Sequence, residues 1–292
     1  MTRQTFAMAL HGGAGVSRDR DYAREIAHMR GVVENGRDRL RAGASATDVV
    51  TESIVELEAS GLYVAGRGAS PNTEGNYELD ASVMEGWTAR GGAVAALTGY
   101  QSPIRAARAV MERTPHVLLA GDGANAFAAQ QGLEPIVNPD AWFTRAGATD
   151  PGNTLGGLAH GTVGCVVLDG EGRLASGTST GGVFGKRPGR VGDTPLLGAG
   201  TWADERVAVS GTGLGEYFIR LAVAAQVAFR MRFGGEALAA ATLAPLQEVL
   251  ALGGEGGLIA ITRDGEIAMP FVSDGMKRAA LTAAGEITSD AF

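Results

Sequence analysis

The order of elements in this sequence predicts an α+β fold, with antiparallel sheets and helices packed outside them. Strand-like and helix-like segments come in blocks: strand, helices, strands, helices, then strands, helices, strands. No self-similarity recurs at a spacing of roughly 20–50 residues, which excludes solenoids and propellers. The 292 residues are 45% hydrophobic and 20% charged, a globular composition with room for one large domain or two ordinary ones.

Phe6 to Leu10 is a short apolar run, a buried strand that ends at His11-Gly12-Gly13-Ala14-Gly15. Residues 19–42 read as a helix, with Ile26, Met29, Val32, Val33 and Leu40 near one face and Gly43 as its stop. Ser45 followed by Asp48 is a capping pattern that opens a second helix to about Ala59. Beyond the glycine-rich loop GLYVAGRGASPNTEG, residues 78–84 and 92–97 read as strands. Ser102-Pro103 gives an N-cap with proline at the first helical position, for a helix to about Arg113. Residues 117–120 read as a short strand and 124–131 as a helix. Residues 132–161 lack periodicity and are rich in Gly, Pro, Asn, Asp and Thr; they read as a flexible linker.

After the linker, strands from Val163 to Leu168 and from Leu174 to Thr178 flank the turn Asp169-Gly170-Glu171-Gly172. A long loop fills 183–204, and 207–210 is a strand. Gly211 to Gly215 leads into a helix through about Phe233. A further helix covers 236–252, with Pro245 expected to bend or break it. Residues 257–262 and 266–271 form a hairpin around Arg263-Asp264-Gly265.

Charge and composition narrow the function. The net charge is −7, from 25 basic and 32 acidic residues, with no basic block, so nucleic acid is not an expected partner. No apolar segment approaches the ~18 residues of a membrane span, and the N-terminal apolar run is too short for a signal peptide. Cys165 is the single cysteine, so no internal disulfide forms, and it reads as a small core residue. A cytoplasmic protein is the expectation.

Several motifs fail on context. Gly13 and Gly15 fit the start of a dinucleotide fingerprint, but Arg18 stands at the third glycine. Gly181 to Lys186 is one residue short of a phosphate loop. Gly177-Thr178-Ser179-Thr180-Gly181 matches the serine elbow G-x-S-x-G, which needs a helix directly after it, and a Gly-, Pro- and Arg-rich stretch follows instead. No H-E-x-x-H pattern occurs, and His28 and His116 look like ordinary helix-face or turn residues.

Other features converge. Gly161-Thr162 follows the linker, and a chain cut between them would give Thr162 a hydroxyl and a free amine, a nucleophile with its own base. Arg190 and Asp193 flank Val191 and Gly192 in a loop, where the pair is either a surface ion pair or a reader of the α-carboxylate and α-amine of an amino acid. Thr212-Gly213-Leu214-Gly215 at a helix start is either a plain loop or a set of N–H donors for an oxyanion.

With HGGAG at 11–15, AGRGASPNTEGNYELDASVMEG at 65–86, SPIRAARAVME at 102–112, HGTVGCVVLDGEGRLASGTSTGG at 160–182, KRPGRVGDTPLLGAG at 186–200 and SGTGLGEYFIR at 210–220, the chain resembles the plant-type L-asparaginase/isoaspartyl peptidase family of N-terminal nucleophile hydrolases. The resemblance implies a four-layer αββα sandwich. It implies a single domain over 1–292, made as a precursor and self-cleaved into an α subunit, 1–161, and a β subunit, 162–292, which pair as (αβ)₂. It makes Thr162 the nucleophile, supported by Thr180. Arg190 would hold the substrate α-carboxylate and Asp193 its α-amine, with Val191 and Gly192 between them. Thr212 and Gly213 would form the oxyanion hole, and Leu214 and Gly215 would line the same site. It also implies a loop that can hold sodium through the backbone carbonyls of Leu57, Glu58, Ser60, Tyr63, Ala65 and Arg67. The chain departs from the family at Val64, where Asn is usual, at Leu214, where a small or polar residue is usual, and in its short linker.

The function implied is hydrolysis of the side-chain amide of L-aspartyl units, in β-aspartyl dipeptides and L-asparagine, with no cofactor required. Thr162 would attack the β-carbonyl while its amine, with an ordinary pKa of about 7.7–8, takes the proton. Alternatives are a glycosylasparaginase-like hydrolase, which His160 fits, a serine hydrolase using Ser179, and an unprocessed binder of aspartyl ligands.

Overall fold

The computed structural model describes residues 5–146 and 161–292. β1 (Ala7–Ala14) is buried along its whole length inside an eight-stranded sheet. It pairs antiparallel with β5 (Val163–Leu168) and with β11 (Met276–Leu281). From β5 the sheet continues through β6 (Leu174–Thr180), β2 (Leu79–Glu85), β3 (Gly91–Leu97) and β4 (Leu118–Ala120); beyond β11 lies β12 (Ile287–Asp290). β3 and β4 run parallel and the other neighbours antiparallel. A four-stranded sheet holds β7 (Thr201–Ala203), β8 (Val207–Gly213), β9 (Gly256–Thr262) and β10 (Ile267–Ala268), in the order β10-β9-β8-β7.

Side chains alternate across a strand, and this sequence uses both faces. Met8 and Leu10 of β1, with Val163, Cys165 and Val167 of β5, share an apolar cluster with Met29 of α1 (Ala23–Arg41), Val50 and Ile54 of α2 (Ala46–Ser60) and Ile104 of α3 (Pro103–Arg113). Ala7, Ala9, Val166 and Leu168 point the opposite way and meet Ala208, Ile259 and Ile261 of the small sheet. The other face of the small sheet, with Val207, Val209 and Leu258, packs on Phe218 of α6 (Gly215–Leu221), Val227 of α7 (Val223–Gly234) and Leu246 of α8 (Leu238–Ala251).

The structure departs from the sequence reading in identifiable places. The helix after Gly215 is broken at Ala222, which takes φ 49° and separates α6 from α7. Pro245 does not break α8, which runs through it. β7 lies inside the stretch read as one long loop. β11 and β12 are strands made of mixed, short segments, MKRAAL and ITSD, whose pattern does not announce them. Part of the stretch read as a linker is anchored. Ile136 N–H donates to Gly99 O at 2.8 Å, Phe143 stacks on Tyr77 with ring centroids 3.6 Å apart, and Thr144 N–H donates to Arg67 O at 2.9 Å. α4 (Gly121–Gln130) precedes this segment and the single turn α5 (Pro139–Trp142) lies within it. The linker from 147 onward, with His160, falls outside the described residues.

Glu58 ties the helical face to the sheet. It is 1% exposed, near the end of α2. Its Oε2 accepts the Ser102 hydroxyl at 2.5 Å; its Oε1 accepts Ile104 N–H at 3.1 Å and the Ser179 hydroxyl at 2.7 Å. Ser102 thus stands at the N-cap position of α3 without capping it, and an acid from another helix satisfies the first turn instead. Burial pushes Glu58 up to about 7, against the bonds from Ser102, Ser179 and Ile104.

A carboxyl whose folded pKa lies above its unfolded value costs stability as pH rises between the two values, and the cost is constant beyond the folded one. Glu58→Gln can keep the bonds to Ser102, Ile104 and Ser179 without the charge. In urea titrations the variant should gain on the wild type by about 3 kcal/mol between about pH 4.5 and 7.5. A pH-independent difference would show that Glu58 keeps its ordinary carboxyl pKa in the fold.

Candidate active site

Gly161 and Thr162 lead into β5, whose Val163 is paired with Ser179 of β6. That register sets Thr162 beside Thr180. The Thr162 hydroxyl donates to Thr180 Oγ1 at 3.1 Å, and Thr180 Oγ1 also accepts Gly182 N–H at 3.0 Å. Thr162 is 7% exposed. Ser179, one position away, points to the opposite face and is bonded to Glu58. The elbow reading of Ser179 is therefore corrected: the hydroxyl is buried against an acid, and no histidine among the described residues is bonded to it.

Val64 contributes through its backbone. Its carbonyl accepts Gly181 N–H at 2.7 Å and lies 3.5 Å from Thr180 Oγ1. Its side chain packs on Gly161, where an added Cβ would collide with the Cβ and Cγ2 of Val64. Glycine at 161 is required by that close approach.

The carbonyl of Thr162 accepts a hydrogen bond from His11 Nδ1 at 3.0 Å, and His11 Nε2 lies 2.9 Å from Ser210 Oγ. Burial lowers the His11 pKa to about 3, and the bond to Thr162 opposes this only in part, so the ring is neutral at neutral pH. In the sequence His11 ends an apolar run and opens the HGGAG segment; its long-range contacts to Thr162 and Ser210 leave no local signal.

Arg190 and Asp193 come together with the end of β8 and the start of α6. Arg190 donates from Nε and Nη2 to the two carboxylate oxygens of Glu216, each at 2.9 Å. Glu216 is more than half exposed, so the fork faces the surface. Gly215 abuts the pair: a Cβ there would lie 2.7 Å from Asp193 Oδ1 and 3.1 Å from Arg190 Nη2. Asp193 is 4% exposed, and its Oδ2 has no hydrogen-bond partner among the described residues. Burial pushes Asp193 up to about 7, while its own backbone N–H and Arg190 pull it down.

Residues that the sequence reading passed over hold this loop. Asp80 of β2, opposite Thr180 in the sheet, accepts Ala96 N–H at 2.8 Å and also Gly192 N–H. Lys186 is buried and donates to the Glu78 carbonyl at 2.7 Å; burial lowers its pKa, and Asp80 and Glu78 raise it. An acid inside an otherwise apolar strand was the available signal for Asp80. For Glu216 it was a carboxylate beside Gly215.

Thr212 and Gly213 end β8, where Thr212 Oγ1 accepts Ala14 N–H at 3.2 Å. Leu214 spends its N–H on the Glu255 carbonyl at 3.1 Å, so that amide is not a free donor. Leu57, Glu58, Ser60, Tyr63, Ala65 and Arg67 lie in and just after the last turn of α2. Their carbonyls are partly engaged: Leu57 O accepts the Ser60 hydroxyl at 2.8 Å, Tyr63 O accepts Ala65 N–H at 2.7 Å, and Arg67 O accepts Thr144 N–H at 2.9 Å. A cation would share these oxygens through their second lone pairs. Among the described residues no cluster of His, Cys, Asp and Glu could hold a metal ion, and no helix is long and apolar enough to cross a membrane.

Comparison with known proteins gives the chain its family. A family model described as asparaginase matches residues 4–150 and 146–289. The isoaspartyl peptidase of Salmonella typhimurium is 46% identical, over 93% of this chain and 94% of that protein. The isoaspartyl peptidase of Escherichia coli is 45% identical, over 93% and 91%. The plant-type L-asparaginase of Pyrococcus horikoshii is 42% identical, over 82% and 83%. A match that runs through both halves of the chain, over the segments that hold Thr162, Arg190 and Asp193, places this protein in the asparaginase family.

Proposed function

We propose that this chain is a self-cleaving isoaspartyl peptidase and L-asparaginase, built as a four-layer αββα sandwich with Thr162 as its nucleophile. The observation that carries the reading is the hydroxyl of Thr162 resting on Thr180, directly after a glycine that only a side-chain-free residue can replace. In the precursor, Thr162 Oγ1 attacks the Gly161 carbonyl. The acyl group moves from nitrogen to oxygen, and water hydrolyses the ester. The products are a Gly161 carboxylate and a free Thr162 amine, dividing the chain into 1–161 and 162–292. Two such pairs form the (αβ)₂ enzyme, which works in the cytoplasm.

In turnover the same hydroxyl attacks the β-carbonyl of the substrate and gives its proton to the Thr162 amine. The amine passes the proton to the departing nitrogen, leaving a β-aspartyl ester on Thr162. Water then releases aspartate. The developing oxyanion lies against Thr212 and Gly213. Arg190 takes the α-carboxylate, which competes with Glu216 for the same fork. Asp193, with its unpartnered Oδ2, takes the α-ammonium together with the Gly215 carbonyl. A buried acid near 7 ionises more readily once a cation sits on it. No cofactor enters the chemistry. A sodium ion on the carbonyls from Leu57 to Arg67 would brace the loop that carries Val64.

Intact mass and N-terminal sequencing should give two fragments, the second beginning at Thr162, and Thr162→Ala should remain one chain of 29.9 kDa. Active enzyme without a Thr162 end would overturn the mechanism. Arg190→Ala should cleave itself normally yet lose turnover of substrates bearing an α-carboxylate. Arg190→Lys should also turn over poorly, because a point charge does not replace the fork. Nothing named in the site reads the leaving group, so β-Asp-Leu should be hydrolysed with kcat/KM at or above that of L-asparagine. α-Asp-Leu, whose α-carboxylate is consumed in the peptide bond, offers Arg190 no carboxylate in exchange for that of Glu216 and should show no detectable hydrolysis. Comparable cleavage of α-Asp-Leu would refute the assignment of Arg190.

A further inference from the structure

A line of polar side chains crosses the layer between the two sheets. It steps from one sheet to the other at each link. His11 of the wide sheet meets Ser210 of the small one at 2.9 Å, Ser210 meets Thr178 of the wide sheet at 2.7 Å, Thr178 meets Thr201 of the small sheet at 2.6 Å, and Thr201 meets Ser82 of the wide sheet at 2.7 Å. The line ends 2.6 Å from Ser82 Oγ, at the carbonyl of Thr194, the residue after Asp193. His11, Ser82, Thr178, Thr201 and Ser210 are all fully buried. Gly164 makes room for the first link, since a Cβ there would collide with Ser210 Oγ and His11 Nε2.

The direction of the hydrogen bonds follows from the ends. A carbonyl only accepts, so His11 Nδ1 carries a proton and donates it to Thr162 O. The ring is neutral, so Nε2 is an acceptor and Ser210 must donate to it. Ser210 has then used its one proton and must accept from Thr178. Thr178 must in turn accept from Thr201, whose alternative acceptor, Thr194 O, lies at a long 3.4 Å. Ser82 is left to choose between Thr201 Oγ1 and Thr194 O. One tautomer of His11 thus orders the protons of three hydroxyls across the core.

We propose that this line is a positioning device: through the Nδ1–H tautomer of His11 it holds Thr162, and through Ser82 it holds the loop of Asp193, in one frame. The proposal rests on reading Thr162 as the nucleophile. Once Gly161–Thr162 is cut, Thr162 is attached to the chain on its carbonyl side alone, and the His11 bond restrains that carbonyl. Misplacing a reacting group by about 1 Å can cost about 10²-fold in rate. His11, Ser210, Thr178, Thr201 and Ser82 touch no reacting atom, so they position rather than catalyse.

The test combines kinetics of the processed enzyme with nitrogen NMR on protein carrying ¹⁵N-histidine. In the wild type, His11 should have a protonated Nδ1 and a bare Nε2. Ser210→Ala removes the donor to Nε2. It should mix the tautomers and lower kcat about tenfold or more, with KM within about twofold. Thr178→Val should shift the same nitrogens and lower kcat less, and Thr178→Ser should restore most of the loss. Ser82→Ala, at the far end, should instead raise KM about fivefold with kcat within about twofold. A wild-type ring protonated at Nε2 would overturn the proposal. So would a folded Ser210→Ala enzyme whose His11 nitrogens and kcat match the wild type, or a series in which thermal stability falls while the kinetic constants stay fixed. The nitrogen shifts are measurable whether or not the chain is cut. Failure of the nucleophile assignment would therefore appear in the fragment masses, and failure of the positioning device in the shifts.

Discussion

The register of β5 against β6 is the constraint on which the site depends. With Val163 opposite Ser179, Thr162 and Thr180 share one face while Ser179 turns to the helices. A slip of one residue would move every side chain of β5 to the other face, placing Cys165 and Val167 in the inter-sheet layer and Thr162 away from Thr180. The register is fixed on both sides. Burial of alternate residues on two faces leaves no neutral shift, and Asp169 pins the turn by accepting Glu171 and Arg173 N–H at 2.9 and 3.0 Å.

Around the substrate loop the problem is charge. Asp80, Lys186, Arg190 and Asp193 are brought together with little water, and the two acids have pKa values above their ordinary range because burial outweighs their partners. Such a cluster is a poor source of stability, since desolvation can exceed the attraction gained. In the proposed function it is a receptor: an incoming zwitterion would give its ammonium to Asp193 and exchange its carboxylate for that of Glu216 on Arg190.

Much of the fold was legible because local chemistry agreed with it. Ser45 caps α2 and bonds Asp48, Pro103 starts α3, and the strands flanking Asp169 to Gly172 pair where the turn residues say. The misreadings fall where distant atoms decide. Ser102 has the right type for a cap, but its hydroxyl is claimed by Glu58 from another helix. Ala222 adopts a left-handed conformation with no glycine to mark it. Of the residues in the proposed site, Thr162, Arg190, Asp193 and Thr212 stood out through glycine-rich contexts and paired charges. His11, Asp80 and Ser210 did not, because each acts through a partner more than a hundred residues away or through a backbone amide.

Cys165 lies three positions beyond Thr162 on the same strand, fully buried, with burial holding its thiol well above the ordinary range. The one sulfhydryl in the chain is therefore neither a thiolate nor within reach of an oxidant. The nucleophile proposed nearby is a hydroxyl oxygen, which peroxide and disulfides leave untouched. Hydrolases with a cysteine nucleophile lose function when their environment turns oxidising. With Thr162 as the proposed nucleophile, the chemistry is separated from cellular redox state, and the thiol of β5 is sealed in the apolar cluster under the helices.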